Sequence, residues 1–442
     1  MNPALFCDLY ELTMAAAYFA AGIGQAGIGQ PGSGPAASFE LFVRTLPPER
    51  SFLVVSGVDA ALAGIEQWCF DDEAMGFLRS LRRFDESFLD ALAGQRFTGA
   101  VRAVPEGEVV FGGEPLLEIN APIVQGQLLE TFLLNQITVG TMVASKAARV
   151  ALACGDRDFI DFSARRDHGI DAAVAAARAA MIAGATGTSL VEAGRRFDVP
   201  LSGTMAHAFV MAFDDERDAF RAYARTFPDG AVLLLDTYDT IRGAHLAVEV
   251  ALELAAEGIK ISGVRLDSGD LLALSHEVRA ILDAAELTDV RILASGDLDE
   301  HRIAELVQSA APIDAFGVGT RMGTSADRPW LTTVYKLVED HTGPKLKLSE
   351  GKASLPGRKQ VWRAHEHDVV SLLDEAVPEG RPLLEPARRS TVDEARERCA
   401  SSVATLPDRL RSLTPPDVPY EVRVSEGLRS LTDELTSEHR RG

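Results

Sequence analysis

Four apolar strands recur about thirty residues apart between positions 231 and 320, each followed by a helical pattern, and this period narrows the fold more than any other feature. Ala231 to Leu235 ends in Asp236, and Lys260 to Leu266 ends in Asp267. Val290 to Ala294 runs into Ser295-Gly296-Asp297, and Ile313 to Phe316 into Gly317-Val318-Gly319-Thr320. Strands that all point one way need a crossover of a dozen or more residues between them, which is the spacing found here. Such sheets bind ligands at the carboxyl ends of their strands, so the acids and the glycine loop mark a first candidate site.

Upstream, Asp158 to Phe162, Gly187 to Leu190 and Val199 to Ser202 read as further short strands. The expected architecture is α/β: an irregular, incomplete β/α barrel of about seven strands, with a doubly wound sheet as the alternative. At 442 residues and 46% hydrophobic composition the chain exceeds one ordinary core. We expect an N-terminal α/β domain over residues 1–125, a barrel-like catalytic domain over 126–343, and a C-terminal segment over 344–442 that packs on the first domain to complete it. Helices are expected at Leu5 to Ala21, Gln127 to Ala153, Val392 to Ala404 and Glu426 to Glu438. The glycine-rich repeat from Ala21 to Pro35 reads as a flexible loop.

Acids outnumber bases by 65 to 44, and the resulting charge of -21 repels nucleic acid and anionic membranes. An anionic substrate therefore needs a local cationic site. Cys7, Cys69, Cys154 and Cys399 are widely separated, without the spacing of a zinc site or a disulfide framework. Asp8 and Glu11 stand where a signal peptide would be basic and apolar, and Ala172 to Ala185, read as the most apolar helical stretch, is broken by Arg178. The expectation is a cytoplasmic protein with no membrane span.

Arg265 and Asp267 lie two apart, on one face of a strand end. Arginine forks onto phosphate while aspartate accepts from ribose hydroxyls or holds magnesium, so the pair suits a phosphorylated sugar; the plainer role for Asp267 is to cap the next helix. The glycines from Phe316 to Ser325 allow backbone N–H groups to surround a phosphate. His207, in Ser202-Gly203-Thr204-Met205-Ala206-His207, offers an imidazole among small residues as nucleophile or base, against the ordinary alternative of a structural histidine. In Asp161-Phe162-Ser163-Ala164-Arg165-Arg166 an aromatic ring beside guanidiniums suits a flat anion, with a core phenylalanine and surface arginines as the alternative. No histidine-rich spacing points to a metal, and no metal-binding residues are assigned.

Several blocks in order resemble the nicotinate phosphoribosyltransferase family over nearly the whole chain: Asp8 to Met14, Ser38 to Arg44, Gly187 to Ser189, Gly203 to His207, Arg265 to Asp270, Gly317 to Thr320 and Leu355 to Gln360. The resemblance implies condensation of nicotinate with phosphoribosyl pyrophosphate, giving nicotinate mononucleotide and pyrophosphate. It further implies Mg2+, ATP as co-substrate through a phosphohistidine at His207, and a homodimer with shared active sites. By the same resemblance Tyr10 and Phe162 sandwich the ring, Arg165 faces its carboxylate or the nucleotide phosphate, and Ser189 sits near a selectivity position. Arg265, Asp267, Gly296 and Asp297 match residues that hold ribose and pyrophosphate, and Gly319 and Thr320 match the 5'-phosphate loop. Cys7 and Ala208 depart from the pattern.

Among rivals, a nicotinamide-specific enzyme would place an acid where Ser189 stands, and a quinolinate enzyme would be shorter. A non-catalytic nucleotide sensor would have lost His207 or the Arg265/Asp267 pair. A barrel aldolase would want a Schiff-base lysine at a strand end, whereas Lys146 and Lys260 lie on a helix and at a strand start.

Overall fold

The computed structural model describes residues 2–23, 36–349, 353–377 and 380–441; most of the glycine-rich repeat, residues 24–35, lies outside them. Along the chain run helix α1 (Leu9–Ala20) and strands β1 (Ala36–Val43), β2 (Ala100–Ala103) and β3 (Pro115–Pro122). Helix α2 (Glu130–Cys154) leads into β4 (Asp158–Asp161), α3 (Ile170–Ile182) and β5 (Gly187–Thr188). Then strand and helix alternate: β6 (Ala231–Leu234), α4 (Thr240–Ala255), β7 (Ile261–Leu266), α5 (Leu271–Ala284), β8 (Arg291–Ala294), α6 (Glu300–Gln308) and β9 (Ala315–Val318). The return segment carries β10 (Thr333–Asp340), β11 (Lys359–Arg363), β12 (His367–Leu372), α7 (Val392–Ala404) and β13 (Glu421–Val424). A last helix, Glu426–Arg441, ends the described chain.

Two compact units result, residues 1–142 with 330–442, and residues 143–329. These limits differ from the expected 125 and 343. Helix α2 is continuous through residue 142, so no linker marks the change, and β10 pairs along β1 in the first unit.

The second unit is a mixed α/β body around a parallel, half-barrel sheet ordered β5-β4-β9-β8-β7-β6. The first strand, β4, pairs with the last, β9, from Asp158 opposite Ala315 to Asp161 opposite Val318, and the other strands follow in chain order. Where a further strand was expected at Val199 to Ser202, a single bridge joins Leu201 to Thr188. Pro200 has no N–H to extend that ladder, although its carbonyl accepts from Thr188 N–H at 3.0 Å.

In the first unit an antiparallel sheet sets β1 between β10 and β3, and a second sheet orders β11-β12-β13 behind the short strand 381–382. Two blocks that carried the family resemblance meet here: Lys359 Nζ lies 2.9 Å from Glu40 Oε2, both side chains almost fully buried. Arg358 Nη2 lies 2.7 Å from Glu118 Oε1. Both blocks therefore act inside the first unit as ties between β1, β3 and β11, since a buried charge needs a paired and hydrogen-bonded partner.

By length and hydropathy alone α2, rather than the expected Ala172–Ala185, is the stretch among the described residues that could cross a membrane; 78% of its most apolar part is buried inside the protein, as in a core helix. The cysteines are free, and burial pushes the Cys154 and Cys399 thiols up to about 12.

Helix α1 is anchored through Glu11, which is fully buried. Its Oε1 accepts from Asp8 N–H at 3.3 Å, Thr131 N–H at 3.2 Å and the Thr131 hydroxyl, while Oε2 has no partner. Burial pushes this carboxyl up to about 7 despite those donors. The native state thus binds a proton that the unfolded chain releases near 4.5, so this contribution is complete below 4.5 and is lost as pH rises towards 7. Glu11→Gln is expected to remove on the order of 2–3 kcal/mol of pH dependence from stability across that window, read as a flatter profile of melting temperature against pH.

Candidate functional site

Carboxyl ends of the parallel strands bring together Phe162, Ser189, Arg265, Asp267, Gly296, Asp297, Gly319 and Thr320, all in the second unit. Most of the apolar residues within these strands are buried, so polar side chains gather where the chain leaves the strand ends.

Asp236, just beyond β6, accepts from Asp267 N–H at 3.0 Å and Ser268 Oγ at 2.6 Å through Oδ2, while its buried Oδ1 has no partner. Asp267 in turn accepts from Ser295 Oγ at 2.5 Å. His207 opens the short helix His207–Met211; its Nδ1 lies 3.2 Å from Thr237 Oγ1 and its Nε2 3.7 Å from Asp267 Oδ2. With 40% of its side chain exposed, the imidazole is held by neighbours yet open to a reactant, unlike a buried structural histidine.

Arg265 is only 13% exposed. It donates to the Thr204 hydroxyl and stands 4.0 Å from Asp267 Oδ1, while its buried Nε has no protein partner. Burial pulls its guanidinium down from the usual range, Asp267 and Asp236 oppose that, and Arg165 adds a like charge. A buried cation with a spare donor beside a second arginine has the chemistry to receive phosphate or pyrophosphate oxygens.

Phe162 sits over β9: a Cβ built on Gly317 would lie 2.5 Å from its ring, and one on Gly319 would lie 3.0 Å from its carbonyl oxygen. Glycine at 317 is therefore what lets the ring settle against the sheet. Arg165 and Ser189 are exposed beside it, and Ser189 N–H donates to Asp161 O at 2.9 Å. Tyr10 belongs to the first unit, on α1, and is 45% exposed, its phenol raised chiefly by burial and then by the charge of Glu130.

Sequence reading passed over Asp161 as a support. It is fully buried and accepts from Ser163 N–H at 3.0 Å, Ser163 Oγ at 2.6 Å and Thr188 Oγ1 at 2.8 Å, tying the Phe162 turn to β5. Thr204, Thr237 and Ser295 were missed as well, because isolated hydroxyl residues carry no spacing signal. Lys146 is locked between Glu300 at 2.6 Å and Asp327 at 2.9 Å and is 3% exposed, which leaves no accessible amine for Schiff-base chemistry there. Among the described residues no group of three His, Cys, Asp or Glu side chains could hold a metal ion.

Residues 5–138 match the model of the nicotinate phosphoribosyltransferase N-terminal domain, and residues 158–355 that of the nicotinate phosphoribosyltransferase family. A nicotinate phosphoribosyltransferase of Mycobacterium tuberculosis is 46% identical over 437 residues, covering 96% of this chain and 92% of that protein. One of Bacillus subtilis is 42% identical over 393 residues, covering 86% and 78%. The crystal structure of human nicotinic acid phosphoribosyltransferase superposes with a TM-score of 0.84 at 30% identity, covering 97% of this chain and 99% of the human one.

Proposed function

This chain belongs to the nicotinate phosphoribosyltransferase family and is an enzyme of that type acting in NAD salvage. From that premise we propose that it joins nicotinate to phosphoribosyl pyrophosphate at the strand ends, with ATP hydrolysis coupled through phosphorylation of His207. The observation that carries this reading is the meeting of Arg265, Asp267 and His207 beside the Phe162 platform.

The ring nitrogen of nicotinate attacks the ribose carbon as its bond to pyrophosphate breaks, so positive charge develops on the sugar and negative charge on the leaving oxygens. Arg265 meets the pyrophosphate, Asp267 and Asp297 lie on the ribose, and the Gly319–Thr320 turn cradles the 5'-phosphate. Phe162 stacks on the ring and Arg165 faces its carboxylate, with Tyr10 closing the sandwich from a second copy of the chain. Val191, Leu201 and Met211, 70%, 53% and 64% exposed in the second unit, favour burial against such a copy. The half-barrel sheet with its Leu201 bridge is read as an incomplete β/α barrel of about seven strands. A cytoplasmic home follows from the same reading.

The unpartnered, buried Oδ1 of Asp236 next to Asp267 suits Mg2+, which needs only one or two protein carboxylates when phosphates and waters complete its shell. Held by Asp236, such an ion would supply positive charge towards the oxygens of a leaving pyrophosphate.

With phosphoribosyl pyrophosphate and Mg2+ supplied, nicotinate should be consumed in preference to nicotinamide in a mixed-substrate assay, because Ser189 stands where an amide-reading acid is needed. Equal or faster use of nicotinamide would overturn the substrate assignment. His207→Ala should lose all stimulation by ATP and keep slow ATP-independent synthesis; ATP stimulation equal to the wild type would remove His207 from the coupling.

A further inference from the structure

A cavity of about 720 Å³ lies wholly within the first unit, walled by Glu108, Arg363, His365, Arg381, Arg398 and Tyr420. That volume is in the range of sites that hold small metabolites. Its floor is built: Arg363 donates through Nη1 to Glu108 at 3.0 Å and through Nη2 to Asp368 at 2.7 Å, and Tyr420 OH donates to Asp368 at 3.0 Å. The Tyr420 ring stacks on Phe111 at 3.9 Å, and the Arg363 guanidinium lies 5.5 Å from the Phe111 ring centre. Glu108 and Asp368 are buried, so these groups cannot relax into solvent.

The charge balance favours an anion. Three guanidiniums line or floor the cavity, opposed by the carboxylates of Glu108 and Asp368; burial, followed by Asp368, pushes the neighbouring Glu114 carboxyl well above its usual range, which favours its uncharged form. Arg363 is fully engaged. Arg381 makes one hydrogen bond among the described residues, Nη2 to Glu108 Oε2 at 2.6 Å, and Arg398 one, Nη1 to the Glu106 carbonyl at 2.5 Å. Each keeps spare donors in a chain whose net charge is -21. The carboxyl end of α7 contributes opposing partial charge through the wall at Ser401 to Thr405, which restricts an anion to the Arg381 and Arg398 side.

We propose that this cavity is an anion site for a small phosphate-bearing ligand, gripped by Arg381 and Arg398 with Arg363 fixed beneath. Guanidinium forks match phosphate oxygens, and the buried network holds the site in place before the ligand arrives. None of its residues belongs to the strand-end site.

Crystals soaked in tungstate should show an anomalous peak within hydrogen-bonding reach of Arg381 and Arg398. No peak there, or one confined to the Gly319–Thr320 turn, overturns the proposal. In calorimetry, inorganic phosphate titrated into the full chain should fill one more site than in the Arg381→Met/Arg398→Met variant, which leaves Arg363, Glu108 and Asp368 in place and should keep its turnover. Equal stoichiometry in the two proteins, none included, also overturns it. Ribose 5-phosphate titrated in parallel separates the sources: tighter binding than phosphate assigns a phosphorylated metabolite, and equal binding the free ion.

Discussion

Arg265→Met is expected to lower kcat/KM for phosphoribosyl pyrophosphate by roughly 10²–10³-fold, about 3–4 kcal/mol of transition-state binding. The side chain is 13% exposed, donates to Thr204, and faces Asp267 across 4.0 Å. Methionine preserves the packing of the stem and removes the charge, so Asp267 loses its opposing cation while the pyrophosphate loses its receptor. Arg265→Lys should recover only part of the loss, because an ammonium cannot span two oxygens as the guanidinium fork does. Steady-state kinetics with a melting curve on each variant checks this. A change under tenfold in the methionine variant would remove Arg265 from the pyrophosphate site.

Gly296→Ala should be nearly as damaging by a different route. Gly296 has φ +92°, and a Cβ there would lie 2.0 Å from the Asp267 carbonyl oxygen, with Asp297 next to it at φ +47°. Alanine must push either its own backbone or the end of β7, and both carry site residues. The strained conformation and the overlap together cost about 2–4 kcal/mol, and activity should fall on the order of 100-fold as Asp267 and Asp297 move apart. Gly230→Ala is the contrast, since a Cβ there meets nothing within 4 Å. If the two variants match in melting temperature and turnover, the close packing of β7 and β8 is not what positions the acids.

The strand-end residues were legible for a reason common to all of them. A buried parallel strand is largely an apolar run, and polar residues gather where the chain leaves the core; Asp236, Asp267 and Asp297 each follow shortly after the end of such a run. Val199–Ser202 misled because a short apolar stretch looks alike whether it forms a ladder or one bridge, and Pro200 decided the outcome. Asp161 was read only as the start of a motif, since nothing local reveals that Thr188, from the next strand, will donate to it.

What the sequence determined by itself is periodic or contiguous: the β/α repeat, the acids that end its strands, the glycines of the Gly317–Thr320 turn, and the blocks by which the family is recognised. Each rests on interactions within a few residues, or on burial that repeats along one element. Tertiary structure alone decided what depends on distant partners. It set Lys359 on Glu40, paired β4 with β9, returned residues 330–442 to the first unit, and seated Phe162 on the glycine backbone of β9. The physical reason is that a buried charge or a close backbone approach is stable only when its partner arrives, and the one-dimensional pattern does not name that partner.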